Sequence, residues 1–316
     1  MHQSTRKRAA FTILEILVVL SVIGILVGIL LPAIQSARAA ASKLGCQNHL
    51  KQIALALHHF EQANKVFPQG NTYNFNDPEN LLKEPLVPLS WLVWTLPFMG
   101  EEALWQKTVS DYQNIPIWRL APPHAGMKTV IMSFTCPADA RLGTVHRVTD
   151  GSSAGTLVAL GSYLGVSGDG KAGIDDGWTS QNGVLFTSSK VRITDILDGS
   201  SQTLLIGERP PSPEFSFGWW YAPSQANAGL QTLAIRSLKG WFNGIEPGAA
   251  CPPGPYSYKS GKLTDVCDSN HFWSLHTGGA NFAFCDGSVR FIPYTASGIL
   301  PALATRAEGE GITPID

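Results

Sequence analysis

No charged side chain interrupts residues 16–37, and the run is apolar almost throughout. As a helix rising about 1.5 Å per residue it can cross roughly 30 Å of hydrocarbon. Arg6, Lys7 and Arg8 precede it. By the positive-inside rule the extreme N-terminus then stays cytoplasmic and everything after the span is exported. One acid, Glu15, stands at the head of the run in RAAFTILEILVVL. A carboxylate inside lipid costs up to ~3 kcal/mol at the bilayer centre and less near the edge, so it calls for a functional reason.

The helical pattern continues past the membrane. Leu50, Ile53, Ala54, Leu57 and Phe60 recur at a 3.6-residue period, and Lys43, Gln47 and Lys51 fall on another face, read as wet. Pro68 and Gly70 end the pattern. A helix over 11–63 would be roughly 80 Å long, half in lipid and half packed on a head. His58 and His59 are adjacent and so point in different directions; helical metal pairs need i, i+4 spacing. They read as surface and groove histidines.

From residue 66 the signals change. A short helix is predicted near 100–109, and strands at VIMSFTC (130–136), SYLGVSG (162–168), GVLFT (183–187), TLLIGE (203–208) and WWYA (219–222). The clearest hairpin is ANFAFCDGSVRFI (280–292), where Asp286-Gly287 divides two alternating apolar runs. No internal repeat stands out.

Composition narrows the class. The net charge is −1 and only 15% of the 316 residues are charged, with no basic stripe beyond the first eight, which excludes nucleic acid as a partner. Thirty-one Gly, 21 Pro and nine Trp fit a turn-rich extracytoplasmic domain. The five cysteines contain no C-x-x-C pair, so zinc ribbons and thioredoxin-like redox motifs are not expected. Outside the cytoplasm disulfides are allowed. Cys251 and Cys267 flank a Pro/Gly-rich loop and form the first expected pair, Cys46 with Cys136 the second, and Cys285 is the candidate buried free thiol.

Three readings of the N-terminus stay open on the residues alone. Ala37-Arg38-Ala39 resembles a signal-peptidase site, but the apolar core is longer than the usual ~7–15 residues and contains an acid. A plain anchor leaves Glu15 unexplained. The third reading is a resemblance. Ala10-Phe11-Thr12-Ile13-Leu14-Glu15 after a short basic leader resembles the type IV prepilin processing site. It implies cleavage by a prepilin peptidase between Ala10 and Phe11, N-methylation of Phe11, and pairing of Glu15 with the new amino group of a neighbouring subunit. The family prefers Gly before the cut; Ala10 departs from that. Gly24 and Gly28 make a G-x-x-x-G spacing that lets helices pack closely in lipid, and Pro32 removes one backbone donor and should kink or loosen the helix.

The head carries a second resemblance. His276 is followed after nine residues by Asp286-Gly287. With CQNHLKQIALALHHFEQ, FTCPAD, SYLGVSGDG, ITDILDGSSQTLLIGE and SLHTGGANFAFCDGSVRFI, this resembles a family that joins a prepilin leader to an exported domain of unknown function ending in an H-x9-DG motif. That family has no established reaction.

Candidate chemistry in the head is sparse. His276 and Asp286 serve either the hairpin's structure or, with partners, a metal or catalytic pair. Ser274, His276 and Asp286 are triad types without a nucleophile elbow. GVSGDGK (165–171) matches G-x-x-x-x-G-K, but Ala172 stands where a P-loop needs Ser or Thr and no helix pattern follows. Asp169, Asp175 and Asp176 are hard oxygen ligands that can hold calcium, without EF-hand spacing. Asp195, Asp198 and Glu208 form a looser acidic set. The tryptophans are either core or an exposed aromatic platform.

The expected fold is α+β: a long transmembrane-then-amphipathic helix packed on a head with an antiparallel sheet. The expected segments are a leader (1–10), a membrane half (11–35), an exported half (36–65) and a head (66–316). The expected role is a pilin- or pseudopilin-like, non-enzymatic subunit without cofactor. It would be single-pass in the inner membrane, its head periplasmic or extracellular, and its partners the prepilin peptidase and other pilin-like subunits. The rivals are a membrane-tethered solute- or glycan-binding protein, which needs an aromatic-lined pocket, and an exported metal-dependent hydrolase, which needs His276 and at least two carboxylates to converge.

Overall fold

A computed structural model of the chain describes residues 13–70, 89–114, 124–149, 154–171, 180–222, 231–237 and 251–310. The processing pair Ala10 and Phe11, and Asp175 and Asp176 of the calcium candidate, lie outside the described residues. The chain divides into two compact units, Met1–Ser42 and Lys43–Asp316.

Helix α1, Ile13–Asn64, belongs to the first unit over its early turns, and residues 43–64 are part of the second. It is long enough and apolar enough to cross a membrane, and it runs through Pro32 without interruption. Residues 13–41 are all exposed. An uncovered apolar surface of that extent needs lipid or another apolar helix around it. At its far end Lys65, at φ 65°, donates to the Glu61 carbonyl, a left-handed cap that turns the chain toward Phe67 and Pro68.

In the second unit the pattern along α1 has its physical meaning. Cys46, Leu50, Ile53, Ala54, Ala56 and Leu57 are buried. Each fully buried Leu or Ile contributes about 1.5–3 kcal/mol to docking this stretch. The supposedly wet face is different from the expectation. Lys43 Nζ sits 3.3 Å above the Phe291 ring, Gln47 donates to Asn281 at 3.0 Å, and Lys51 Nζ donates to the Gly287 carbonyl at 2.6 Å. Long polar side chains spaced by one turn read as solvated, yet here their heads reach across onto the C-terminal hairpin.

The head is built on a five-stranded sheet of β3 (Tyr163–Gly168), β4 (Leu204–Glu208), β5 (Thr232–Ala234), β6 (Gly279–Phe284) and β7 (Val289–Pro293), in the order β5-β3-β4-β6-β7. A separate short pair joins β1 (His146–Arg147) and β2 (Leu157–Val158). All neighbours in the large sheet are antiparallel except β5, which lies parallel to β3, because the chain crosses over between β4 and β5 before pairing. Both faces are buried. Ala283 and Cys285 face a core with the α1 residues, whereas Ala280, Phe282 and Phe284 face a second core with Tyr258, Phe272 and Leu300. That is the two-residue alternation of a strand covered on both sides.

Helix α2 is Glu102–Asn114, longer than the predicted 100–109, and a last turn, α3, is Leu300–Leu303. Three predicted strands are not regular strands. VIMSFTC forms 3₁₀ turns around Met132–Phe134, with Met132 exposed while Ile131 and Phe134 are buried, a burial pattern that an alternating strand would not give. Residues 183–187 bend beside β3, with Gly183 and Leu185 donating to the Ser167 and Val166 carbonyls. Trp219 makes only a bridge to Leu160.

Two disulfides are present, Cys46–Cys136 and Cys251–Cys267, and Cys285 is a buried free cysteine. The first closes 90 residues and ties α1 to the segment before β1; in the chain-entropy treatment a loop of that size contributes about 4–5 kcal/mol. Burial pushes the Cys285 thiol well above its ordinary value, which disfavours the reactive thiolate.

Candidate functional site

The H-x9-DG motif is a strand with its two ends marked. Its residues do not meet: His276 precedes β6 and Asp286-Gly287 follows it. The hairpin is a three-residue loop, with Phe284 and Ser288 bonded across it and Gly287 N–H donating to the Phe284 carbonyl. Gly287 takes φ 77° and Asp286 does not leave the negative side, so the turn is the type I kind closed by a left-handed glycine rather than a two-residue primed turn. Asp286 Oδ1 accepts from Ser288 N–H at 2.8 Å. A Cβ on Gly287 would lie 3.4 Å from His58 Nε2, so the glycine also lets the turn approach α1.

At the other end of β6 a buried polar cluster assembles. Strand register delivers Glu208, the last residue of β4, beside β6, where Gly207 pairs with Phe282. Glu208 is 1% exposed. Its Oε2 accepts from Asn281 N–H at 2.6 Å, and Asn281 Nδ2 donates to both carboxylate oxygens at 3.1 and 3.2 Å. His276 Nε2 lies 3.3 Å from Glu208 Oε1 and 3.6 Å from Cys136 Sγ. Ser274 shapes the approach: its Oγ donates to Gly279 O at 2.7 Å and accepts from His276 N–H at 3.0 Å. Tyr163, whose backbone pairs with Glu208, is buried, and burial, reinforced by the Glu208 carboxylate, pushes its phenol well above the usual value.

The contacts form one path: Gln47 to Asn281, Asn281 to Glu208, Glu208 to His276, and His276 to the Cys46–Cys136 bridge. It joins α1, β6, β4 and two loops. Every member except Gln47 is buried. Burying a carboxylate is tolerable only with its acceptors filled and a partner beside it; Asn281 and His276 meet that need.

The remaining candidates are dispersed. Ser274 is occupied in the loop and Asp286 sits past the other end of β6, so no triad forms. His276 meets one described carboxylate, Glu208, short of the hydrolase requirement among the described residues. Asp169 Oδ1 accepts from Lys171 N–H at 2.8 Å and Asn182 Nδ2 at 3.0 Å, and Oδ2 pairs with Lys171 Nζ at 3.3 Å. Asp195 pairs with Arg192 at 2.9 Å, and Asp198 accepts from Glu308 and Gly309 N–H, so the loose acidic set does not converge. Among the described tryptophans none is exposed: Trp91, Trp219, Trp220 and Trp273 are buried and Trp94 and Trp105 half-buried. His58 packs edge-on to Phe67 and His59 stacks on Phe98. Gly24 and Gly28 have open space around a would-be Cβ.

Sequence reading missed Glu208 as a partner of His276, and missed that Cys136 of FTCPAD joins them. The available signal was polarity: Glu208 closes an otherwise apolar strand, and Asn281 interrupts the apolar alternation of β6.

The sequence pattern of a family described as "Protein of unknown function (DUF1559)" matches residues 35–297. The pattern of the prokaryotic N-terminal methylation motif matches residues 5–31. No curated protein and no solved structure matches the chain.

Proposed function

The chain belongs to the DUF1559 family of proteins of unknown function, and from that premise, joined to its N-terminal methylation motif, we propose that it is a type IV pilin-like structural subunit. A prepilin peptidase cuts between Ala10 and Phe11 and methylates Phe11. Glu15 then pairs with the new amino group of a neighbouring subunit, and Gly24 and Gly28 supply the close helix contacts. The head is carried outside the cytoplasm, and the chain has no reaction of its own.

The observation that carries the reading is that the methylation motif opens the same helix whose later turns are built into the head's core. In this reading the H-x9-DG motif serves α1. Asn281 in its strand holds Gln47, Gly287 at its far end holds Lys51, and the Cys46–Cys136 bridge beside His276 makes the attachment covalent.

Mass spectrometry of the mature protein from membranes tests it. The expected N-terminus is N-methyl-Phe11. A chain starting at Ala40 would place it with ordinary secreted proteins, and an intact Met1 would leave a plain anchor.

A further inference from the structure

We propose that the dithiol form of this chain binds one zinc-type divalent ion through Cys46 Sγ, Cys136 Sγ, His276 Nε2 and Glu208 Oε1, in place of the disulfide. The four ligand atoms already lie within 4.8 Å of one another, and all four residues are buried. A tetrahedral ion with bonds of about 2.3 Å to sulfur and about 2.0–2.2 Å to nitrogen and oxygen sets a sulfur–nitrogen separation of about 3.5 Å and a nitrogen–oxygen separation of about 3.3 Å. The separations found are 3.6 Å for Cys136 Sγ to His276 Nε2 and 3.3 Å for His276 Nε2 to Glu208 Oε1. The two sulfurs, bonded to each other in the disulfide, have to part to take separate positions on the ion.

The donor set is that of a closed structural site, with no position left for a reacting water. Asn281, donating to Glu208 from its backbone and side chain, fixes the carboxylate as an outer-shell partner does at metal centres. The ion and the disulfide exclude each other because both use the same two sulfurs. A newly made chain has both cysteines as thiols, so binding needs no reductant: the ion enters and two thiol protons leave. From the oxidised chain, a phosphine takes the oxygen of one water to become its oxide, and that water's two protons go to the two sulfurs. In either form α1 is held to the head at Cys46.

The test uses the full chain in detergent micelles, reduced with a water-soluble phosphine and titrated with Co²⁺. The expected result is one Co²⁺ per chain with a thiolate-to-cobalt charge-transfer band and tetrahedral visible absorption, both displaced by zinc. The oxidised chain gives neither. The double variant Cys251→Ser, Cys267→Ser behaves as the parent, the double variant Cys46→Ser, Cys136→Ser loses the bands, and His276→Gln or Glu208→Gln weakens binding at least about tenfold. The proposal fails if the reduced parent lacks the tetrahedral dithiolate spectrum, if the oxidised chain shows it equally, or if the bands follow Cys251 and Cys267 instead. Oxidised and reduced parent protein are compared without any substitution, so the result does not depend on a variant folding.

Discussion

Gln47 and Asn281 stand 234 positions apart in the chain and 3.0 Å apart in space, Gln47 Nε2 donating to Asn281 Oδ1. The same Asn281 donates its own N–H groups to Glu208. One buried amide therefore joins the emerging helix to the carboxylate that faces His276, and acceptor and donors are used at once.

Asn281→Ala should cost more than Gln47→Ala, its partner in this path. It strips Glu208 of its side-chain donor while leaving the carboxylate buried, a loss of about 2–3 kcal/mol, or roughly a 5–10 °C fall in thermal midpoint for a domain of this size. Gln47→Ala, at a half-buried position, should cost about 1 kcal/mol or less. Thermal unfolding followed by circular dichroism compares them, and equal midpoints would contradict the joint assigned to Asn281.

The two disulfides should differ in weight. Cys46–Cys136 spans 90 residues and Cys251–Cys267 spans 16. The chain-entropy treatment gives about 4–5 kcal/mol for the long loop and about 3 kcal/mol for the short one. Denaturant unfolding of the two serine double variants, in metal-free buffer, should rank them in that order.

Acid should weaken the fold where His58 lies beside the hairpin turn. Burial is the largest influence on His58 and holds it below the ordinary histidine value, against the opposing pull of Glu61 and Asp286. The neutral ring is thus the form the fold favours. Its contribution is fully present above about pH 6.5 and is lost as the pH falls through that value toward the lower folded one, since the unfolded chain then binds the proton more readily. The thermal midpoint should drop between pH 7.5 and pH 5.5 in the parent and drop less in His58→Gln.

Gly287→Ala forces a side chain into φ 77°, at about 1–2 kcal/mol, and sets a methyl 3.4 Å from His58 Nε2. Hydrogen exchange should quicken at β6 and β7 while β3 stays protected. Equal quickening of all three strands would argue against a local role.

Within the proposed assembly, Glu15→Gln should leave membrane insertion intact, because removing a charge from the apolar run only favours it. Recovery of the subunit in sheared or crosslinked assemblies should fall at least about tenfold. Unchanged recovery would rule out the role given to Glu15.

Much of this arrangement was legible in the residues because local chemistry wrote it. The apolar run, the 3.6-residue stripe through Leu50 and Leu57, the strands at 162–168 and 203–208, and the Asp286-Gly287 turn each announce themselves within a few positions. The Gln47–Asn281–Glu208–His276 path did not, because it depends on register between β4 and β6 and on how α1 rotates over the sheet. Lys43, Gln47 and Lys51 have the spacing of a solvated face, and only the hairpin's arrival makes it a docked one. Glu208 looked like one acid among three until the strand around it was buried on both sides. The apolar run at 130–136 is short enough to suit a strand or a turn of helix equally, and packing chose the turn.

Cys46 is the first buried residue met on entering the head along α1 among the described residues. Tension arriving through the helix backbone is therefore carried by a covalent bond before it reaches Leu50, Ile53 or the hairpin. A peeling load that would part apolar contacts one turn at a time is converted into a pull along Cys46–Cys136, so the turns of α1 beyond Cys46 keep their places in the core while that cross-link holds.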